Sequence, residues 1–102
     1  MLAGRGVFRG TRILSAQAVE AMAHDYTPDH HGYGLTMSVA GGTMPLLTLV
    51  NPGTFGHGGA FGTNGSVDPK NGLVTVFLPQ MVGGNTKSAL DIFTALAEAA
   101  VP

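Results

Sequence analysis

The chain has 102 residues, a length that fits one domain, and five Lys and Arg against six Asp and Glu give a formal charge of −1. This balance excludes a strongly basic nucleic-acid-binding protein and an acidic disordered tail. The lack of cysteine excludes disulfides and thiolate metal sites. No apolar run is long enough to span a membrane, and the N-terminus lacks the pattern of a signal peptide, so the sequence indicates no localisation.

The charged fraction is low for a soluble domain. Charged residues make up 11% of the chain, against about 25% in ordinary soluble domains. Two explanations stay open from composition alone. The surface could be neutral and rich in Gly, Ser, Thr and Asn, or part of it could be covered by another chain or by a missing part of the same fold.

The first third of the chain predicts loops around one short helix. Residues 1–12 hold three glycines and three arginines, which indicates a loop or the frayed end of a helix. Ser15 is a typical helix N-cap, and it predicts a helix over about residues 16–24. The polar segment 25–32, with Pro28 as a breaker, predicts a loop.

The middle of the chain predicts strands and turns. Partial alternation over residues 33–39 and the apolar run 43–50 predict two strands, and Pro45 weakens the start of the second. Residues 54–68 are interrupted by glycines and are expected to be extended in pieces. The segment 68–72 (DPKNG) is typical of a turn that joins two antiparallel strands.

The last third predicts the clearest strand and a second helix. Residues 73–78 (LVTVFL) are continuously apolar, which predicts a strand covered on both faces. A helix follows, capped by Thr86 or Asn85, with an apolar stripe of Leu90, Phe93, Ala97 and Ala100, widened by Ile92 and Leu96. The order predicts an α+β fold, in which an antiparallel sheet is flanked by a short N-terminal helix and a C-terminal helix.

One segment, residues 56–63 (GHGGAFGT), is unusual enough to suggest chemistry. A phosphate loop would need a helix directly after it and a Lys-Ser/Thr pair that closes the loop, and neither follows this segment. A lipase-type oxyanion loop would need a Gly-x-Ser-x-Gly elbow, which the chain lacks. The structural alternative is a strand whose glycines allow close packing, with His57 merely hydrogen-bonded.

The wider sequence around this segment resembles a known family. The stretch GTFGHGGAFGT, then VDP and LVTVFLPQ, resembles the C-terminal part of the serine β-lactamase and penicillin-binding-protein superfamily, most of all its class C-related esterases and serine hydrolases. GRGVFRGTRILSAQAVEAM resembles the family's Gly-rich loop and following helix, and YGL resembles its Tyr-Gly-Leu strand. The similarity covers about residues 2–98. It departs from the family at Thr36 and Met37, where the family has Gly-Trp.

The resemblance implies roles for four consecutive residues. His57, Gly58 and Gly59 occupy the family's third active-site motif, with His57 as a donor to the substrate or to the other motifs. Gly58 and Gly59 would keep side chains away from a small acyl substrate. The N–H of Ala60 would be one oxyanion donor, directed at charge that develops in the tetrahedral intermediate. The resemblance implies neither a metal nor a cofactor.

The first two motifs of the family are not in this chain. No serine begins Ser-x-x-Lys, and Tyr26 and Tyr33 do not begin Tyr-x-Asn. Without a nucleophile and a base there is nothing to receive an acyl group. The resemblance therefore implies that residues 1–102 are a single partial domain, the C-terminal segment of a serine hydrolase that cleaves an ester or amide through an acyl-serine, and that the chain alone is inactive.

Two other hypotheses stay open. The chain could be a non-catalytic remnant or interaction module that associates through exposed strand edges, either with itself or with the missing N-terminal part of the hydrolase. A small metal-binding protein is the third, since three further histidines lie at His24, His30 and His31. Adjacent histidines point in different directions in most backbones, which favours exposed loop histidines over a metal site.

Overall fold

The computed structural model describes residues 1–42, 50–82 and 86–102. All but the last residue of the predicted strand 43–50 therefore lies outside the described residues, as does the alternative helix cap Asn85. The described part confirms the α+β class, because it contains two helices and antiparallel sheets.

The N-terminal segment forms a small hairpin. Strand β1 (Val7–Phe8) pairs with β2 (Thr11–Arg12), and the two-residue turn between them has φ of 47° at Arg9 and 80° at Gly10. Two positive φ values in a two-residue turn suit the right-handed twist of a hairpin. The prediction of a loop or frayed helix over residues 1–12 is therefore wrong for residues 7–12, which form this hairpin.

The first helix begins where its cap predicts. Helix α1 spans Ala16–Met22, and the Ser15 Oγ accepts a hydrogen bond from the Ala18 N–H at 3.0 Å. The predicted cap is confirmed, and the helix ends two residues earlier than expected. A single 3₁₀ turn, Pro28–His30, lies within the loop that follows.

Four antiparallel strands form the main sheet in the order β3-β4-β5-β6. Their bounds are Ser38–Val39, Phe55–Gly58, Asn64–Asp68 and Leu73–Phe77. The strand predicted over residues 33–39 is mostly a turn. The Gly34 N–H donates to the Met37 carbonyl at 2.7 Å, and Thr36 has a φ of 65°. Positive φ at a β-branched residue is incompatible with a continuous strand.

The turn between β5 and β6 is organised by Asp68. Its Oδ1 accepts from the Lys70 N–H at 2.8 Å and its Oδ2 from the Asn51 side chain at 2.8 Å, and the predicted turn is confirmed. Burial alone would raise the pKa of this carboxyl. The hydrogen bonds from Asn51 and from the N–H groups of Lys70 and Asn71 outweigh burial and hold the pKa below its usual value.

The sheet packs on both faces. On one face, Val39, Phe55 and Val67 form a core with Val19 of α1. Alternate residues of a strand point to opposite faces. Asn64 is three residues before Val67 on β5, so Asn64 and its partner Phe77 lie on the opposite face of the sheet. There helix α2 (Thr86–Ala99) lies against β6, and the rings of Phe77 and Phe93 are 5.3 Å apart.

The cover is incomplete on β6. Val74 and Val76 lie on the α1 face, yet their exposed fractions are 53% and 58%, so the prediction of a strand covered on both faces is wrong for the described residues. The core of that face extends from α1 to Val67 and no further. Ile92 and Leu96 are also exposed, so they do not widen the packed stripe of α2. Among the described strands, β6 has no neighbour on its outer side.

Candidate functional site

In the described part of the chain, the outer edge of β4 is open from His57 onward. Strand β3 pairs only with the first half of β4, through Val39 opposite Phe55 and Ser38 opposite Gly56. The turn at residues 34–37 then leads the chain away. Among the described residues, His57 and Gly58 have a strand partner on the β5 side alone.

Hydrogen bonds on either side of β4 show which backbone groups face this open edge. The Thr54 carbonyl accepts from the Ala40 N–H at 2.7 Å on the outer side, whereas the Gly59 N–H donates to the Thr63 carbonyl at 2.8 Å on the inner side. Backbone groups alternate between the two sides of an antiparallel strand. The N–H and C=O of Gly58 therefore point to the open edge.

Ala60 lies just beyond the strand, in the turn that leads to β5. The residue is exposed, and no group in the described part of the chain accepts a hydrogen bond from its N–H. The next turn bond joins the Gly62 N–H to the Gly59 carbonyl at 3.0 Å. No acceptor in residues 1–42, 50–82 or 86–102 therefore competes for the Ala60 N–H.

The glycines at positions 56, 58 and 59 differ in how much room a side chain would have. A Cβ on Gly56 would overlap the Gly65 carbonyl of β5, and one on Gly59 would overlap the Thr63 hydroxyl. A Cβ on Gly58 would lie 3.4 Å from the Thr63 carbonyl, an ordinary contact. Close packing explains Gly56 and Gly59, but it does not explain Gly58.

His57 is exposed, and both of its ring nitrogens have partners. Its Nδ1 lies 2.5 Å from the Gly58 carbonyl oxygen, and its Nε2 lies 3.0 Å from the Tyr33 Oη. The two rings meet edge-on, with centroids 6.2 Å apart. The sequence predicted His57 as a site residue but did not predict Tyr33. The only sequence signal for Tyr33 was its position in the YGL segment.

Asp25 holds the loop that carries Tyr33. Its carboxylate accepts from the hydroxyl and N–H of Thr27, from the Gly32 N–H at 2.9 Å and from the Tyr33 N–H at 3.2 Å. The hydrogen bonds from Thr27, followed by those from Tyr33 and Gly32, stabilise the charged form and hold the pKa of Asp25 well below its usual range.

A cavity of about 310 Å³ lies beside the open edge, between β4 and the start of α2. Gly58, Thr63 and Leu90 contribute to its lining, together with Asn64. Asn64 is 92% buried, since its relative exposure is 8%, and its Oδ1 has no hydrogen-bond partner among the described residues. Buried polar atoms are normally paired. A ligand that donates a hydrogen bond would satisfy this oxygen.

The remaining histidines are loop residues. His24, His30 and His31 are exposed, as predicted, and His24 meets the Tyr26 ring edge-on at 4.7 Å. Residues 1–42, 50–82 and 86–102 contain no group of three or more His, Asp or Glu side chains placed to hold a metal ion. Within the same ranges, no helix combines the length and the apolar character that crossing a bilayer requires.

The geometry defines an α+β protein with an open, glycine-rich strand edge beside a cavity. Comparison with protein families gives the class: the Beta-lactamase family model matches residues 9–100. The match covers most of the 102 residues, and the chain therefore belongs to the Beta-lactamase family.

Two similar curated proteins come from Mycobacterium tuberculosis. Protein Rv1367c (strain ATCC 25618 / H37Rv) and Uncharacterized protein MT1414 (strain CDC 1551 / Oshkosh) are each 32% identical to this chain over 97 residues. The match covers 78% of this chain and 24% of each relative. The chain thus spans about a quarter of the length of the curated relatives that it matches.

The charge of Asp25 is expected to make its loop sensitive to acid. Asp25→Asn should lower the Tm at pH 7, because an amide has one acceptor oxygen in place of two. Since folding lowers the pKa of Asp25, its stabilisation is complete above the unfolded-state pKa of about 3.9 and is lost as pH falls below it. Thermal melts from pH 7 to pH 2 should show the difference in Tm between the two proteins shrinking toward low pH.

The matched control is Glu20→Gln, which removes one partner of the exposed ion pair with Arg5. Exposed ion pairs contribute little to stability, so this variant should melt close to the parent. A Tm difference for Asp25→Asn that stays constant from pH 7 to pH 2 would contradict the charged hydrogen-bonded role.

Proposed function

We propose that these residues are the C-terminal portion of a serine hydrolase domain that cleaves an ester or amide through an acyl-serine. The observation that carries the proposal is the open edge of β4 from His57 onward. A strand edge with a free N–H can bind an extended acyl group by backbone pairing. Membership of the Beta-lactamase family supports the same reaction class.

The open edge offers two backbone donors with separate roles. The Gly58 N–H points outward and would hold the carbonyl of the acyl group's amide. The Ala60 N–H, which has no partner in the described part of the chain, would stabilise the oxyanion of the tetrahedral intermediate. Gly58 leaves the approach clear, because no side chain projects there and packing does not require its glycine.

The nucleophile and the general base come from elsewhere in the proposed domain. The chain has no Ser-x-x-Lys and no Tyr-x-Asn, and it spans about a quarter of its curated relatives. We therefore expect the chain alone to be inactive. A fluorophosphonate probe, which labels activated serines, should leave every serine of the purified chain unlabelled. Stoichiometric labelling would overturn this division of roles.

The proposal is tested by substitution of His57 and Ala60 in the complete enzyme. His57→Ala should lower kcat/KM, and Ala60→Pro should lower it about 10²–10³-fold because proline removes the backbone donor. Ala60→Ser keeps that donor and is the matched control. Steady-state kinetics on folded protein provide the measurement, with Tm recorded for each variant. Equal kcat/KM for Ala60→Pro and Ala60→Ser would remove Ala60 from the oxyanion site.

A second candidate function, an interaction module, has one specific observation in its favour. Strand β6 is the last of the described sheet, and Val74 and Val76 are more than half exposed on it. An unpaired apolar strand edge favours pairing with another chain. The occupant would be a second copy of this chain or the rest of the hydrolase domain.

Light scattering on the dilute chain tests this candidate. Pairing through β6 predicts a mass above one chain and a shift toward the monomer in Val76→Lys, since a charge on an edge strand opposes association. Ile92→Lys places the same charge on the exposed face of α2 and is the control, with no expected effect on mass. A stable monomer of 10.4 kDa for the unmodified chain would exclude a second copy of this chain as the occupant of β6.

A further inference from the structure

The two hydrogen bonds of His57 determine which of its nitrogens carries the proton. A carbonyl oxygen only accepts hydrogen bonds, so the 2.5 Å contact with the Gly58 carbonyl requires a proton on Nδ1. A neutral imidazole has one N–H, so Nε2 is then an acceptor. The Tyr33 hydroxyl, 3.0 Å from Nε2, must therefore donate to it.

Tyr33 is itself held from several directions. Its N–H donates to Asp25 at 3.2 Å, its carbonyl accepts from the Tyr26 N–H at 3.1 Å, and it forms an isolated bridge with Ser38. The backbone of Tyr33 is thus anchored to β3 and to the Asp25 loop. Because its backbone is already fixed, Tyr33 loses only side-chain rotamer freedom when its phenol bonds to a neighbouring ring.

We propose that Tyr33 is a positioning residue for His57: the phenol holds the imidazole at the open edge of β4 and, together with the Gly58 carbonyl, fixes the Nδ1–H tautomer. The hydrogen bond made at one ring nitrogen sets the protonation of the other. The flanking glycines give His57 no side-chain neighbour in sequence that could do the same. Among the described residues, Tyr33 is therefore the side chain that keeps the His57 ring in place beside the Gly58 carbonyl.

The tautomer changes what His57 can do at the proposed site, and this consequence rests on the proposed function. With Nδ1–H engaged by the Gly58 carbonyl, the neutral ring has no N–H free for an oxyanion. A ligand that displaces the Tyr33 hydroxyl would meet a bare Nε2 and must supply a donor, such as a hydroxyl or an amide N–H. Oxyanion stabilisation then falls to the Ala60 N–H, and His57 accepts rather than donates.

The proposal is tested by long-range ¹H–¹⁵N NMR of the histidine rings in the ¹⁵N-labelled chain. The ¹⁵N shifts of each ring distinguish its two neutral tautomers from the doubly protonated form, and the spectra are recorded at a pH where they show a neutral His57 ring. The expected result is a protonated Nδ1 and a bare Nε2 for His57. Tyr33→Phe should shift the ring toward the Nε2–H form, and His24, His30 and His31 are internal references within the same spectrum.

Tyr26→Phe is the matched control, because it removes a phenol that contacts His24 rather than His57. It should leave the His57 ring signals unchanged. An Nε2–H form in the unmodified chain would overturn the proposal even if Tyr33→Phe failed to fold. An Nδ1–H form that persists in folded Tyr33→Phe would also overturn it, since Gly58 alone would then fix the tautomer. Both results are independent of whether β4 binds a substrate.

Discussion

The site depends on one constraint, the turn at residues 34–37 that ends the pairing of β3 with β4. The Gly34-to-Met37 hydrogen bond and the positive φ of Thr36 stop β3 opposite Gly56. One strand edge is left open as a result, and Tyr33, at the base of the same turn, is brought to His57. A continuous strand over residues 33–39 would have covered the edge and removed the site.

Polar side chains with many hydrogen bonds hold the loops around this sheet. Asp25 and Asp68 each accept several bonds from nearby backbone N–H groups, and both have lowered pKa values. The charged fraction of the chain is only 11%. These two carboxylates stabilise loops through their hydrogen bonds, whereas exposed ion pairs contribute little to stability. Asp25 stabilises the loop that presents Tyr33, and Asp68 stabilises the turn from which β6 begins.

Local sequence signals predicted local structure, but they did not predict contacts between segments that are distant in the sequence. The Ser15 cap and the turn at 68–72 were predictable because each depends on a few neighbouring residues. The 7–12 hairpin was missed because arginine at positive φ is uncommon. The Tyr33–His57 contact joins positions 24 residues apart, and the exposure of Val76 depends on how far the α1 core extends; neither follows from local periodicity.

The central claim, that the outer edge of β4 is open beyond Gly56, is tested most directly by amide hydrogen exchange in the chain itself. The account predicts alternation: the N–H groups of His57 and Gly59, which face β5, exchange slowly, whereas that of Gly58 exchanges rapidly with solvent. Gly58 protection equal to that of His57 would show a partner on the outer edge and contradict the account.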